Sequence, residues 1–102
     1  MKIVVKKVGQ NPETKEIKGE LNEMQEIVSG YIQAFKILDD VLCVYDDDGK
    51  LKNKTPNFIF NRDVIVGDVF FVAAGEEDFE SLNDEQIDLI MTLLNLFELR
   101  KS

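Results

Sequence analysis

The sequence of 102 residues contains no histidine and no tryptophan, and its single cysteine is Cys43. Without histidine there is no imidazole general base, no triad that needs one, and no supply of the commonest zinc and iron ligand. A lone cysteine cannot form an internal disulfide, which is typical of a reducing compartment. Apolar neighbours on both sides of Cys43 predict a small buried side chain in a strand rather than a nucleophile. We therefore expect a protein that is not an enzyme and holds no cofactor or metal.

Long apolar segments are also missing. The longest uninterrupted apolar run is Val69–Ala74, far too short for a membrane-spanning helix, and Lys6 and Lys7 interrupt the apolar start. With 44% hydrophobic and 31% charged residues, the composition is that of a folded domain, and this length fills one core. We expect residues 1–102 to form a single globular domain in the cytoplasm.

Basic residues are scarce in the second half of the chain. Residues 1–54 contain nine lysines and ten acidic residues, a net charge of -1, whereas residues 55–102 contain three basic and ten acidic residues, a net charge of -7. No lysine or arginine occurs between Asp63 and Leu99. The negative electrostatic field of this half of the chain repels phosphate and argues against direct binding of DNA or RNA. It suits solubility, or contact with a basic protein surface.

The apolar patterning predicts an α+β fold: a mostly antiparallel sheet of four to six strands, with a short helix and a longer C-terminal helix packed on it. The predicted strands cover residues 2–8, 14–18, 31–38, 40–45, 58–60 and 64–74. The last of these is apolar except for Gly67 and Asp68. It is predicted to be a central strand covered on both faces and bent at this pair.

Residues 19–30 are predicted to form the short helix, because their apolar residues fall at helical spacing: Leu21, Met24, Ile27 and Val28. Gly30 suits the C-terminal cap of this helix. The DDDGK segment, residues 46–50, does not have the ligand spacing of an EF-hand calcium loop. It is predicted to be a solvated hairpin turn whose glycine adopts a positive φ.

The start of the C-terminal helix has strong local signals. Asn83 can cap the helix while Gln86, three residues later, reaches back as in a capping box. Leu82 and Ile87 have the spacing of a hydrophobic staple around that cap. Ser81 is a competing cap that would move the start by two residues.

This helix is predicted to run to about residue 100, and most of its surface is apolar. Helices of this kind are normally buried on more than one side. Either the short first helix packs beside it, or an exposed apolar strip forms a homodimer or binds a partner. The strip consists of Leu89, Leu93 and Leu96.

An acidic segment connects the central strand to this helix. No basic, nucleophilic or polar aromatic residue obviously converges on it, so a catalytic role or Mg²⁺ binding is not expected. It is either a solvated surface or the contact for a basic partner. The residues concerned are Glu76, Glu77, Asp78, Glu80, Asp84 and Glu85.

Four segments occur in an order that resembles a known family. They are MQEIVSGYIQA (24–34), VLCVYDDDGKL (41–51), TPNFIFN (55–61) and VIVGDVFFVAAGEEDFESLNDEQI (64–87). Together they resemble domain of unknown function 3846, found in small proteins of phages, plasmids and conjugative elements, and the opening residues 2–17 fit that family's first hairpin. Members often carry Arg after the Asn that follows proline, whereas Phe58 stands here, so no role of that arginine carries over.

The resemblance implies a mobile-element protein that acts inside a bacterial cell, and it transfers no catalytic residue because the family has no established activity. The leading hypothesis is a non-catalytic binding protein that modulates a host process, for example by inhibiting a defence nuclease as a DNA mimic. The alternatives are a nucleotide-binding or sponge protein, and a structural homodimer without a separate ligand.

Overall fold

A computed structural model describes residues 1–97 of the chain as eight strands and two helices. In chain order these elements are β1 (Lys2–Lys6), β2 (Glu13–Glu16), α1 (Leu21–Val28), β3 (Ile32–Leu38), β4 (Val41–Asp46), β5 (Pro56–Phe60), β6 (Asp63–Val66), β7 (Val69–Ala74), β8 (Phe79–Glu80) and α2 (Asp84–Phe97). The predicted α+β class, with a short helix and a longer C-terminal helix, is confirmed.

The main sheet is antiparallel and has β7 at its centre. Its strand order is β2-β1-β7-β4-β3, and β8 pairs with the far end of β7. Strands β5 and β6 form a separate antiparallel hairpin. The predicted central position is confirmed for β7, and β2 is an exposed edge strand.

Both faces of β7 are covered, which explains its unbroken apolar sequence. One face carries Val69 and Phe71, packed in a core with residues of the β5–β6 hairpin and α2. The other face carries Phe70 and Val72, packed in a second core with Met24 and other residues of α1. The two helices therefore lie on opposite sides of the sheet, and α1 does not pack beside α2.

The predicted single strand over residues 64–74 is wrong, because it divides at Gly67 into β6 and β7, which belong to different sheets. Gly67 has a φ of 78°, which favours glycine, and an added Cβ would lie 2.8 Å from Lys54 Cδ. The buried Asn57 side chain donates hydrogen bonds to the carbonyl oxygens of Lys6 and Gly67, at 2.9 and 2.8 Å. The β5–β6 hairpin is thereby fixed to the end of β1.

Helix α1 differs in detail from its prediction. The residue in the left-handed cap conformation is Ser29, with a φ of 57°, and Gly30 follows it. Gly30 is required for another reason, since an added Cβ would overlap the Asp46 carboxylate. Met24 and Val28 are buried as predicted, but Leu21, the first residue of the helix, is 56% exposed.

The predicted solvated turn at residues 46–50 is wrong for Asp46, whose side chain is only 2% exposed. Its Oδ2 atom accepts hydrogen bonds from Lys52 Nζ at 2.8 Å and Lys54 Nζ at 2.7 Å. Burial alone would raise the pKa of Asp46, but the hydrogen bonds from both lysines outweigh burial and lower the pKa to about 2. Gly49 is buried and does not have a positive φ.

The start of α2 confirms the predicted capping box. Asn83 Oδ1 accepts the Gln86 backbone N–H at 2.8 Å, and Gln86 Oε1 accepts the Asn83 N–H at 2.9 Å. Leu82 is buried and Ile87 half-buried in the same core, as a staple requires. The competing cap is not used, because the Ser81 hydroxyl accepts the Lys2 N–H instead. The predicted end near residue 100 lies outside the described residues.

Candidate functional site

The turn between β7 and β8 presents exposed carboxylates at one end of the main sheet. Glu76, Glu77 and Asp78 occupy this turn, and Glu80 follows on β8. The turn is tight, because the Gly75 N–H donates to the Asp78 carbonyl oxygen at 2.9 Å and a Cβ on Gly75 would overlap that oxygen. The backbone therefore holds these four acidic residues around one shallow depression.

The first turn of α2 adds two more predicted residues to the same end. Asp84 and Glu85 are exposed, and the capping box fixes where their turn begins. Asp84 Oδ1 lies 4.0 Å from Lys2 Nζ. Acidic residues in a first turn also complement the positive end of the helix dipole. All six predicted acidic residues are thus exposed, on consecutive parts of the chain.

Two further acidic residues that were not predicted from the sequence, Asp39 and Asp40, lie in the turn between β3 and β4. The Ala74 N–H donates to the Asp40 carbonyl oxygen at 2.9 Å, and Gln86 Nε2 donates to Asp40 Oδ2 at 2.9 Å. This turn therefore lies against the end of β7 and the start of α2. In the sequence, Asp39 stands between the predicted strands 31–38 and 40–45, but the position of this turn depends on β4 lying next to β7. We call the combined surface the acidic end: Asp39, Asp40, Glu76, Glu77, Asp78, Glu80, Asp84 and Glu85.

Positive charge compensates the acidic end weakly. Within residues 1–97, the one ion pair that involves it joins Lys2 to Asp84, whose side chain is 97% exposed. Exposed pairs at this distance contribute little. Elsewhere, carboxylates are held by closer lysines, as in the Lys50–Asp63 pair at 2.6 Å, which lowers the pKa of Asp63. The acidic end thus presents eight carboxylates from three elements to solvent.

The predicted apolar strip on α2 is partly exposed. Leu89 is 48% exposed and Leu96 is 74% exposed, whereas Leu93 is half-buried. The helix packs on the sheet through Ile90 and Leu94, which are buried. Because α1 covers the opposite face of the sheet, it leaves this outer surface uncovered. A role in dimer or partner contact stays a prediction.

Cys43 is fully buried at the centre of the sheet, as predicted. Burial raises the pKa of the Cys43 thiol, which keeps it protonated and unreactive as a nucleophile. In the described part of the chain, no three side chains of the metal-ligating types are grouped to hold an ion. No helix among residues 1–97 is long and apolar enough to cross a membrane.

A cavity of about 370 Å³ lies where the C-terminal end of β4 meets the β5–β6 hairpin, and no sequence motif indicated it. Phe35 and Tyr45 contribute aromatic rings to its lining, and their centroids are 5.7 Å apart with planes inclined at 55°. The charged side chains in the lining are Asp46, Asp47, Lys50 and Asp63. The surroundings of the cavity therefore combine an apolar wall with charge.

Comparison with known proteins returns one finding. A family model described as Domain of unknown function (DUF3846) matches residues 1–95. No curated protein matches the chain, and no solved structure does.

Proposed function

Because the chain belongs to the DUF3846 family, whose description assigns no activity, we propose a function from its surface: a non-catalytic binding protein that docks its acidic end on a basic surface of another protein. The observation that carries the proposal is the convergence of eight exposed carboxylates from three separate elements with one weak ion pair among them. The proposed setting is the cytoplasm of a bacterial cell that holds a phage or other mobile element, where the protein modulates a host process.

The acidic end has the physical properties that such docking needs. The backbone that carries these residues is held by the hydrogen bonds of the β7–β8 turn and by the Gln86–Asp40 contact, so little ordering of the backbone is needed on binding. A dense array of negative charge resembles a nucleic-acid backbone in its electrostatic field and steers basic partners at long range. The most concrete version is a mimic of DNA that occupies the basic channel of a host defence nuclease.

Charge reversal tests this proposal. Glu76→Lys, Glu77→Lys and Glu85→Lys together alter the acidic end at side chains with no intramolecular bond, so the fold should persist. The matched control reverses three exposed residues on β2 and around α1: Glu13→Lys, Glu20→Lys and Glu26→Lys. Both variants change the net charge equally.

The measurement is affinity capture from a host-cell lysate, followed by titration of each captured protein in purified form. We expect the acidic-end variant to bind at least about tenfold more weakly, the control to bind normally, and added salt to weaken binding. Duplex DNA should compete if the partner is a nuclease. Equal loss in both variants, or binding indifferent to salt, would show that the acidic end is not the docking surface.

A second candidate function, a structural homodimer through α2, is favoured by one observation. Leu89 and Leu96 are exposed large apolar side chains on the outer surface of that helix. Burial of each leucine between two copies would contribute on the order of 1–2 kcal/mol.

A further inference from the structure

The 370 Å³ cavity lies far from the acidic end and has a different lining. The acidic end adjoins Val41, at the start of β4, whereas the cavity adjoins Asp46, at the end of this six-residue strand. The two sites are therefore separated by about 17 Å along the strand. The volume of the cavity falls within the range of cavities that hold small molecules, roughly 300–1,000 Å³.

The wall of the cavity is aromatic and supported from behind. The Phe35 ring packs against Phe60 with centroids 5.5 Å apart and planes inclined at 27°, which limits its rotation. Tyr45 meets Phe35 at an angle, so the two rings form a corner rather than a flat surface. Ile65 and Val66 complete an apolar lining. A wall of this type fits a compact apolar or aromatic group.

The charges around the cavity leave one carboxylate without a partner. Asp46 is neutralised by Lys52 and Lys54, and Asp63 by Lys50. Among residues 1–97, the Asp47 carboxylate has neither a hydrogen bond nor an ion pair, although its backbone N–H donates to the Tyr31 carbonyl oxygen.

The negative charge of Asp47 also acts on Tyr45, one of the two aromatic residues in the cavity wall. Burial and the nearby charge of Asp47 raise the pKa of Tyr45 and keep its phenol neutral. A cation in the cavity would thus meet two aromatic side chains and an unpaired carboxylate together. Aromatic corners with an adjacent acid are a known way to bind alkylated ammonium groups.

We propose that this cavity binds a small organic cation, an ammonium group on an apolar or aromatic body, through the Phe35–Tyr45 corner and the Asp47 carboxylate. An anionic ligand would face the uncompensated Asp47 and a lysine already paired at 2.6 Å. The site is independent of the proposed docking of the acidic end.

The probe for this site is benzyltrimethylammonium. Benzyl alcohol serves as a neutral comparison, phenylphosphate as an anionic one, and adenosine monophosphate tests for a nucleotide site. The chain has two tyrosines and no tryptophan, and Tyr31 is exposed outside the cavity. In a Tyr31→Phe background, tyrosine fluorescence therefore reports on Tyr45 alone, and calorimetry gives the affinity independently.

We expect saturable binding of benzyltrimethylammonium and at least about fivefold weaker binding of the neutral and anionic probes. Asp47→Asn should weaken the cation at least about fivefold, because it removes the charge and keeps the shape. Asp48→Asn is the matched control, since it changes the same charge one residue away and Asp48 does not line the cavity. Phe35→Leu should weaken the cation in a protein whose circular dichroism spectrum still shows the native fold.

Three results would overturn the proposal. The first is the absence of saturable cation binding. The second is equal or tighter binding of the neutral, anionic or nucleotide probe. The third is an Asp48→Asn variant that weakens the cation as much as Asp47→Asn does.

Discussion

At the scale of single residues, the Asp46 carboxylate joins three separate parts of the chain. It accepts hydrogen bonds from Lys52 and Lys54 of the following loop, and Lys54 also donates to the Val28 carbonyl oxygen at the end of α1, at 2.6 Å. Gly30 lies directly against the carboxylate. Removing one partner of a buried ion pair is costly, because the other charge is left uncompensated. Through Lys54, Asp46 therefore helps to hold the end of α1 against the sheet, in addition to the apolar packing of Met24 and Val28.

This arrangement predicts a specific dependence of stability on pH. The pKa of Asp46 is about 2 in the folded protein, below the value of about 3.9 for an unfolded chain. The ionised carboxylate therefore stabilises the fold above about pH 4, by on the order of 2 kcal/mol, and this contribution is lost as the pH falls from about 4 to 2.

The Asp46→Asn variant should lose about 2 kcal/mol of unfolding free energy at pH 7 and show a shallower fall in stability below pH 4. Urea unfolding at several pH values measures both effects. Asp48→Asn removes the same charge from a neighbour with no ion pair and should change the unfolding free energy by less than about 0.5 kcal/mol. Equal losses in the two variants would contradict the role given to Asp46.

At the scale of elements, the start of α2 connects local and long-range structure. Gln86 takes part in the capping box and also donates to Asp40 Oδ2, which links the helix to the β3–β4 turn. It is 8% exposed, so these hydrogen bonds form in a largely buried setting. The same side chain therefore begins the helix and holds part of the acidic end together.

Alanine substitutions should separate these two roles. Asn83→Ala removes the acceptor for one backbone N–H of α2 and should lower the unfolding free energy by about 1 kcal/mol. Gln86→Ala removes the reciprocal bond and the link to Asp40, and should cost about 2 kcal/mol. Glu85→Ala, exposed in the same turn, is the control and should be nearly neutral. Thermal unfolding measures all three, and a Gln86→Ala loss no greater than that of Asn83→Ala would show that the Asp40 link contributes nothing.

At the scale of the whole molecule, α1 and α2 cover opposite faces of one sheet, and each leaves a different surface open. The acidic end lies at one end of β4 and the cavity at the other, while the outer surface of α2 carries exposed leucines. Three surfaces of different chemistry can therefore act without excluding one another. None of the binding roles proposed for these three surfaces requires a catalytic residue.

The outer surface of α2 should tolerate charge where its inner surface does not. Leu96→Glu, at a side chain that is 74% exposed, should change the monomer's unfolding free energy by less than about 0.5 kcal/mol. Leu94→Glu, at a side chain that is 2% exposed, should prevent folding because it buries an unpaired charge.

Sedimentation of the wild-type protein and the Leu96→Glu variant then tests the homodimer candidate. A wild-type dimer that becomes a folded monomer on this change supports it, whereas a wild-type monomer rules it out. A Leu96→Glu variant that unfolds would contradict the position given to this side chain.

The features that sequence predicted correctly depend on neighbours along the chain. The capping box of Asn83 and Gln86 spans three residues, so its hydrogen bonds follow from local geometry. The unbroken apolar run of Val69–Ala74 requires cover on both faces of the strand. The central position of β7 in the sheet could therefore be predicted from its sequence. The fold class could be predicted because the elements and their order are local properties.

Tertiary structure alone decided the features that depend on distant partners. Sequence predicted a bend at Gly67 and Asp68, but the separation of β6 and β7 into different sheets follows from strand pairings that apolar patterning does not encode. The burial of Asp46 depends on a loop that folds back under α1, and an isolated DDDGK segment carries no sign of that loop. Asp40 joins the acidic end only because β4 lies beside β7. Sequence determined which elements form, because their hydrogen bonds are local, whereas the surfaces available for binding arose from how those elements pack.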